Sequence, residues 1–280
     1  MRTFSEDPGA LLGKYRDQAA HGMTSVGLCG NHGAECAMDG GEVVVNWTGE
    51  TDLERAMAAY VEAGFTEPVQ WLMGRDTFKF AKQFGEPGSD EYAAAYAGVI
   101  RGVLARGEQE GWPEIIFQPV DEAFEHRDRF ERMIIEMRIL QDLGVPVEAD
   151  GMNGRPAGLD EAFPLIDYFN FHDGPFLTRG VYDTNDWRDF QERVNAAGKS
   201  IWFYNVEISC HRPENARFSQ GFHLWNTEVQ GAFTWSYQSY VPEPYGLNEK
   251  RKFVFMHRFP AMGEEPGGPS IGFEALRGGI

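Results

Sequence analysis

The sequence predicts an α/β protein built as a (β/α)8 TIM-type barrel, and three observations predict it. Amphipathic helical stretches alternate with short β-branched or aromatic runs along the chain. A glycine stands near the end of most of these helices, and the run that comes next finishes in polar residues. No G-x-G-x-x-G turn occurs, which favours a barrel over a doubly wound dinucleotide-binding sheet.

Residues 7–20 read as a helix stopped at Gly22, with a strand over 24–29. The run VVVNW at 43–47 reads either as a hairpin insertion or as part of a loop. Thr51 and Glu54 form a T-x-x-E capping box ahead of a helix over 52–63 that Gly64 closes. A strand over 69–73 precedes the Ala-rich helix 90–110, which hands over through Gly111, Trp112 and Pro113 to EIIFQPV at 114–120. Phe130, Ile134, Met137 and Leu140 fall at helical spacing within 124–143, and Gly144 leads into a strand over 145–149. The same grammar yields a strand at 168–171, a helix at 186–197 stopped by Gly198, a strand at 201–206, a helix at 215–228 and a last strand at 232–235.

This count is one strand short of eight, because only a helix precedes residue 24. The first strand comes from 43–47 or the extreme N-terminus, or the barrel is incomplete. An incomplete barrel exposes strand edges, so a homo-oligomer that covers the open edge is expected. Residues 1–240 are read as the catalytic barrel and 241–280 as a C-terminal extension packed on it.

Of the 280 residues, 42% are hydrophobic and 24% charged, which excludes a disordered or coiled-coil chain. The 25 basic and 43 acidic side chains leave a net charge of −18, which repels phosphate backbones and anionic lipid, so neither nucleic acid nor membrane is an expected partner. No apolar run reaches the roughly 18 residues of a membrane span, and the opening segment has no apolar signal region. Three cysteines, Cys29, Cys36 and Cys210, cannot frame a domain of this size. A reduced, cytoplasmic protein is the expectation.

In barrels of this kind the reactive groups sit at the C-terminal ends of the strands. Those ends read Cys29-Gly30-Asn31-His32, Gly74-Arg75-Asp76, Asp121-Glu122, Asp150, His172-Asp173, Asn205 with Glu207, and Trp235-Ser236-Tyr237. Two carboxyls facing each other across a barrel mouth can divide glycoside cleavage between them, one protonating the leaving oxygen and the other attacking the anomeric carbon. Glu122 and Glu207 are the expected catalytic pair. In IWFYNVE, Phe203, Asn205 and Glu207 share one face, which reads as an inward polar end, while Trp202 and Tyr204 point to the other. Asp121, Asn31, His32, Asp150, His172, Asp173, Asn205 and Trp235 are the expected sugar contacts. Trp202, Trp225 and Phe222 are read as packing residues.

Competing readings exist for each. Asp121-Glu122 stands ahead of a helix, where acids commonly cap N–H groups. Glu207 is within reach of a structural ion pair with Arg212 or Arg217, and His172-Asp173 of a simple turn. Cys29-x2-His32-x3-Cys36 has metal-compatible spacing but lacks a fourth ligand, and no H-x-H pair or P-loop occurs, so no metal and no cofactor are expected.

Two families share motifs with this chain. QPVDE at 118–122 and NVE at 205–207 resemble the acid/base and nucleophile positions of clan A retaining glycoside hydrolases, although that clan usually carries Asn where Asp121 stands. The resemblance implies Glu122 as acid/base and Glu207 as nucleophile. RFSQGFHLWNTEVQGAFTWSY at 217–237 and PSIGFEALRGGI at 269–280 are similar to the end of glycoside hydrolase family 123 and its relatives. That likeness implies an adjacent Asp-Glu pair, with Asp121 orienting a substrate acetamido nucleophile and Glu122 donating the proton. The expectation is therefore a cofactor-free, retaining, exo-acting glycoside hydrolase on terminal β-linked sugars, with β-galactosides first. The alternatives are a substrate-assisted β-N-acetylhexosaminidase and a non-catalytic carbohydrate-binding barrel.

Overall fold

Capping and glycine stops act where the sequence puts them. The computed structural model describes residues 8–29, 35–152, 156–172, 185–204, 213–234 and 273–275. The Thr51 hydroxyl accepts from the Glu54 N–H at 3.3 Å and the Glu54 carboxylate accepts from the Thr51 N–H at 3.0 Å, so helix α2 (Asp52–Glu62), which comes after α1 (Pro8–Ala20), begins in the expected reciprocal box. Glu54 also receives Arg106 at 2.7 Å, which ties α2 to the long helix α4 (Asp90–Glu110). Ser89 caps the start of α4 through the Tyr92 N–H, and Gly111 ends it at φ 67, a left-handed conformation that favours glycine.

Nine strands are described: β1 (Gly27–Cys29), β2 (Glu35–Asp39), β3 (Glu42–Asn46), β4 (Val69–Leu72), β5 (Ile115–Gln118), β6 (Glu148–Met152), β7 (Tyr168–His172), β8 (Ser200–Tyr204) and β9 (Gly231–Phe233). They form sheets in the orders β1-β4-β5 and β6-β7-β8-β9, plus the separate pair β2-β3. β1-β4, β4-β5 and β8-β9 pair in parallel, so the α/β class with parallel strands is the observed one. A closed barrel is not: β1 and β9 each stand at an edge of a sheet, and closure needs a further parallel strand or a β1-β9 pairing that the described residues do not contain.

The chain divides into two compact units, Met1–Phe169 and Asn170–Ile280. In the first, Leu28, Trp71 and Phe117 stand level on one face of the sheet, and Val147 joins them by a parallel bridge to Phe117. All four are buried. The 43–47 run resolves as the hairpin alternative, β2 and β3 joined by Gly40-Gly41 with both φ positive, as a type I′ turn requires. The hairpin seats on α4 because Gly98 and Gly102 leave room for Val43 and Val45; a Cβ at Gly98 would lie 2.5 Å from a Val43 methyl.

Helix α3 (Gly74–Ala81) starts directly after β4 and has no counterpart in the sequence reading, which ended at Asp76 as a strand rim. It packs on α4, which in turn meets α5 (Arg127–Asp142) through a buried polar contact. Tyr92 of α4 donates to the Glu136 carboxyl of α5 at 2.6 Å, and the Arg132 guanidinium lies 4.4 Å over the Phe78 ring of α3. Burial pushes the Glu136 carboxyl up to about 7, against the Tyr92 hydrogen bond and the Arg132 charge.

In the second unit, Phe171 meets Trp187 and Phe190 of the helix Asn185–Ala196, and Phe203 meets Trp187 and His223. The Phe203 face of β8 is therefore the helix-covered one. This reverses the expected orientation of Phe203; Asn205 and Glu207, expected on the same face, lie outside the described residues. Tyr204, on the opposite face, lies 5.0 Å from the His172 ring, and Trp202 lies against Phe233 and over Gly231. The expected helix at 215–228 runs as Pro213–Arg217, a π turn over Phe218–Phe222 and His223–Thr227. An inserted π residue rotates the succeeding segment by about 100°. Phe222 and Trp225, expected to pack, are 65% and 79% exposed. Of the C-terminal extension, 273–275 are helical, with Phe273 and Ala275 buried. No helix among the described residues is long and apolar enough to cross a membrane.

This packing sets two expected outcomes. Gly98→Ala gains roughly 1 kcal/mol of helix propensity but meets the stiff Val43 side chain, an overpacking cost of about 1–3 kcal/mol. Urea denaturation should find it destabilising in the wild type and stabilising in a Val43→Ala background; stabilisation in both would unseat the hairpin contact. Glu136 has a folded value above its ordinary 4.5, so the stability it confers is fully present below pH 4.5 and is lost as pH rises towards about 7. The loss is about 3 kcal/mol. Glu136→Gln should flatten the fall in Tm between those pH values, and an unchanged slope would assign it to other groups.

Candidate functional site

Parity assembles the site. With Trp71 and Phe117 on the apolar face of the first sheet, Gln70 and Gln118 point to the other, as do Glu148 and Asp150 two residues apart on β6. The Gln70 amide N–H groups donate to Gln118 Oε1 and to Glu148 Oε2, both at 2.7 Å. Gln118, Glu148 and Asp150 are buried, at 2%, 0% and 8% exposure.

β5 stops at Gln118, earlier than the 114–120 run suggests, and Asp121-Glu122 stand in the loop beyond it. Glu122 adopts φ 47 and ψ 46, the left-handed conformation that an L-residue other than Gly, Asn or Asp seldom takes. Its N–H donates to Asp150 Oδ1 at 2.8 Å. Gly151 lies beneath: a Cβ there would sit 2.6 Å from the Glu122 Cα. A single 3-10 turn, Ala123–Glu125, then leads to α5.

Helix capping does not explain the acid pair. His126 occupies the N-cap of α5, and the Glu122 side chain makes no cap hydrogen bond to the 3-10 turn. The Glu122 side chain is half-buried and that of Asp121 exposed. Asp150 is pushed well above the usual carboxylate range by burial, then by the Glu148 and Asp121 charges, against the opposing hydrogen bonds from the Glu122 N–H and the Gln118 side chain. Burial and the neighbouring Asp121 also push the Cys29 thiol up, which keeps it from acting as a thiolate.

Three expected site residues, Asp121, Glu122 and Asp150, are thus brought together. Asp150 is not at a strand end as expected: β6 runs from Glu148 to Met152, three residues later than the 145–149 reading, and Asp150 is its central residue. His172 ends β7 in the second unit beside Tyr204, its Nδ1 buried without a hydrogen-bond partner among the described residues. Asn31, His32, Asp173, Asn205, Glu207 and Trp235 lie outside the described residues. Cys29 and Cys36 are free thiols, and burial pushes Cys36 up to about 11.

Gln70, Gln118, Glu148 and Gly151 were missed. The signal was available in part: a lone glutamine in VQWL and another in IIFQ break otherwise apolar strands, and Glu148-Ala149-Asp150 puts two acids on one strand face. No protein-family model matches the chain, and no curated protein does.

Gln70→Leu removes the two hydrogen bonds that Gln70 donates within the buried row. Their loss should cost about 1–3 kcal/mol in urea denaturation. A change below about 0.5 kcal/mol, the range of an ordinary surface substitution, would mean that the row is satisfied by other groups.

Proposed function

We propose that the chain is a glycoside hydrolase in which Glu122 is the proton donor. The observation that carries this is the Glu122 backbone: a half-buried acid beyond the C-terminal end of a parallel strand, held left-handed by a buried carboxyl, whose side chain makes no cap hydrogen bond to the turn it opens. Backbone strain of this kind concentrates at active sites, and strand C-termini are where barrel enzymes carry their chemistry.

The reading continues with Glu207 as nucleophile on a terminal β-linked sugar, a β-galactoside first. The Glu207 carboxylate attacks the anomeric carbon, the glycosidic C–O bond breaks and the Glu122 proton passes to the leaving oxygen. Water, giving its proton to the Glu122 carboxylate, then attacks the same carbon and releases Glu207. The strands would complete a (β/α)8 barrel, one strand short or closed, with a second copy of the chain covering any open edge. Asp121 favours a second reading, the substrate-assisted cleavage of a β-N-acetylhexosaminide: it is exposed, directly precedes Glu122 and adds its charge to the same carboxyl group of Asp150.

A panel of aryl β-galactoside, β-glucoside and β-N-acetylgalactosaminide separates these. Glu122→Gln should lower kcat by about 10²–10⁴-fold on whichever substrate turns over. Loss of activity in Glu207→Ala favours the covalent route. Turnover of the acetamido sugar alone, retained by Glu207→Ala and lost in Asp121→Ala, overturns it for the substrate-assisted route. Sugar binding with no aglycone release by the wild type would make the chain a binding protein, not a hydrolase.

A further inference from the structure

We infer that Asp150 is the positioning residue of the site: it fixes the direction of the Glu122 side chain by holding the Glu122 backbone, with Gly151 as the floor of that cradle. The inference rests on Glu122 being the proton donor, yet the cradle itself is a matter of backbone geometry.

A left-handed glutamate needs something to hold it. For an L-residue that conformation costs roughly 1–2 kcal/mol, and the chain around Glu122 offers no regular helix or strand to impose it. Two contacts from consecutive residues of β6 do so. Asp150 Oδ1 accepts the Glu122 N–H at 2.8 Å, and the bare Cα of Gly151 lets the Glu122 Cα approach to where a side chain would stand 2.6 Å away. Gly151 is itself at φ 74, so both its conformation and its missing side chain are used. Ala123, the next residue, is fully buried and anchors the turn. The Glu122 Cα–Cβ bond is thereby aimed by β6, not by the loop in which Glu122 stands.

The chemistry of Asp150 suits an acceptor whose charge is dispensable. It is buried beside Glu148 on its own strand and faces Asp121 and Glu122 from the loop after β5, with Cys29 of β1 and Gln118 of β5 also close enough to act on it. These surroundings favour its neutral form, and a neutral carboxyl still offers a carbonyl oxygen to the Glu122 N–H. Asparagine presents the same oxygen at the same place. Charge and geometry can therefore be separated by one substitution.

The test is amide hydrogen exchange at Glu122, read by NMR on the whole chain, together with kcat and KM on the aryl glycoside that the wild type cleaves. In Asp150→Asn the Glu122 amide should stay protected. In Asp150→Ala protection should be lost and kcat should fall by about 100-fold with KM nearly unchanged, the size expected when a reacting group is misplaced. Gly151→Ala attacks the cradle from below and should repeat that pattern, which covers the case where Asp150→Ala does not fold. Glu122→Gly should raise Tm by about 2–4 °C, because glycine accepts the left-handed slot without the Cβ penalty. Continued protection of the Glu122 amide in both Asp150→Ala and Gly151→Ala overturns the inference, and so does an equal loss of protection in Asp150→Asn. If no glycoside turns over, the glycosidase reading fails by itself, while the exchange and Tm results still decide whether Asp150 holds Glu122.

Discussion

Burying polar side chains on one face of a parallel sheet is the constraint on which the rest of the first unit depends. Gln118, Glu148 and Asp150 are almost fully withdrawn from water, and such groups destabilise a fold unless donors and acceptors match. Gln70 does most of the matching, since its amide bridges Gln118 and Glu148 across three strands. Asp150 stands at the top of the row, where a second ionised carboxyl next to Glu148 would be costly. Favouring its protonated form limits the buried charge, and its remaining acceptor is spent on the Glu122 backbone. The loop geometry after β5 is thus a consequence of how the sheet resolves its own polar face.

The helices are joined to one another by devices that tolerate little variation in size or charge. On α4, Ser89 and Gly111 define the ends, Gly98 and Gly102 receive the hairpin, Arg106 reaches Glu54 of the preceding helix and Tyr92 reaches Glu136 of the next. α3 is drawn into the same layer by Arg132 lying over Phe78. Because α3 departs directly from the C-terminal end of β4, that layer also bounds the rim on which β4 opens.

Local signals were legible where one residue type dictates one conformation. The T-x-x-E box and the Gly111 stop act on their own neighbours, and the sequence reading located α2 and α4 closely. It placed β6 three residues early because Val145 and Val147 are β-branched, whereas pairing begins where Val147 bridges Phe117 and Glu148 enters the row. α3 was invisible since Gly74-Arg75-Asp76 reads as a loop; its eight residues are held by tertiary contacts with α4. The parity of β8 was misread because an aromatic residue fits either face of a strand, and only Trp187 and His223 decide which face Phe203 takes. At the site, the acids were readable from their positions, but the left-handed turn was not: it depends on Gly151, which is 29 residues away and gives no local sign of its partner.

Why glutamate occupies position 122 then becomes a question of opposing free energies. Glycine would take the left-handed turn without strain, and asparagine or aspartate at small cost, so backbone preference alone argues against every long side chain. Nor does the fold recover that cost through capping, since the turn draws no cap hydrogen bond from the Glu122 side chain. What glutamate adds is a carboxyl on a two-carbon arm, projecting from a backbone that β6 holds from two sides. Glutamate at this position therefore works against the stability of its own loop, at the point where Asp150 and Gly151 of the neighbouring strand hold it.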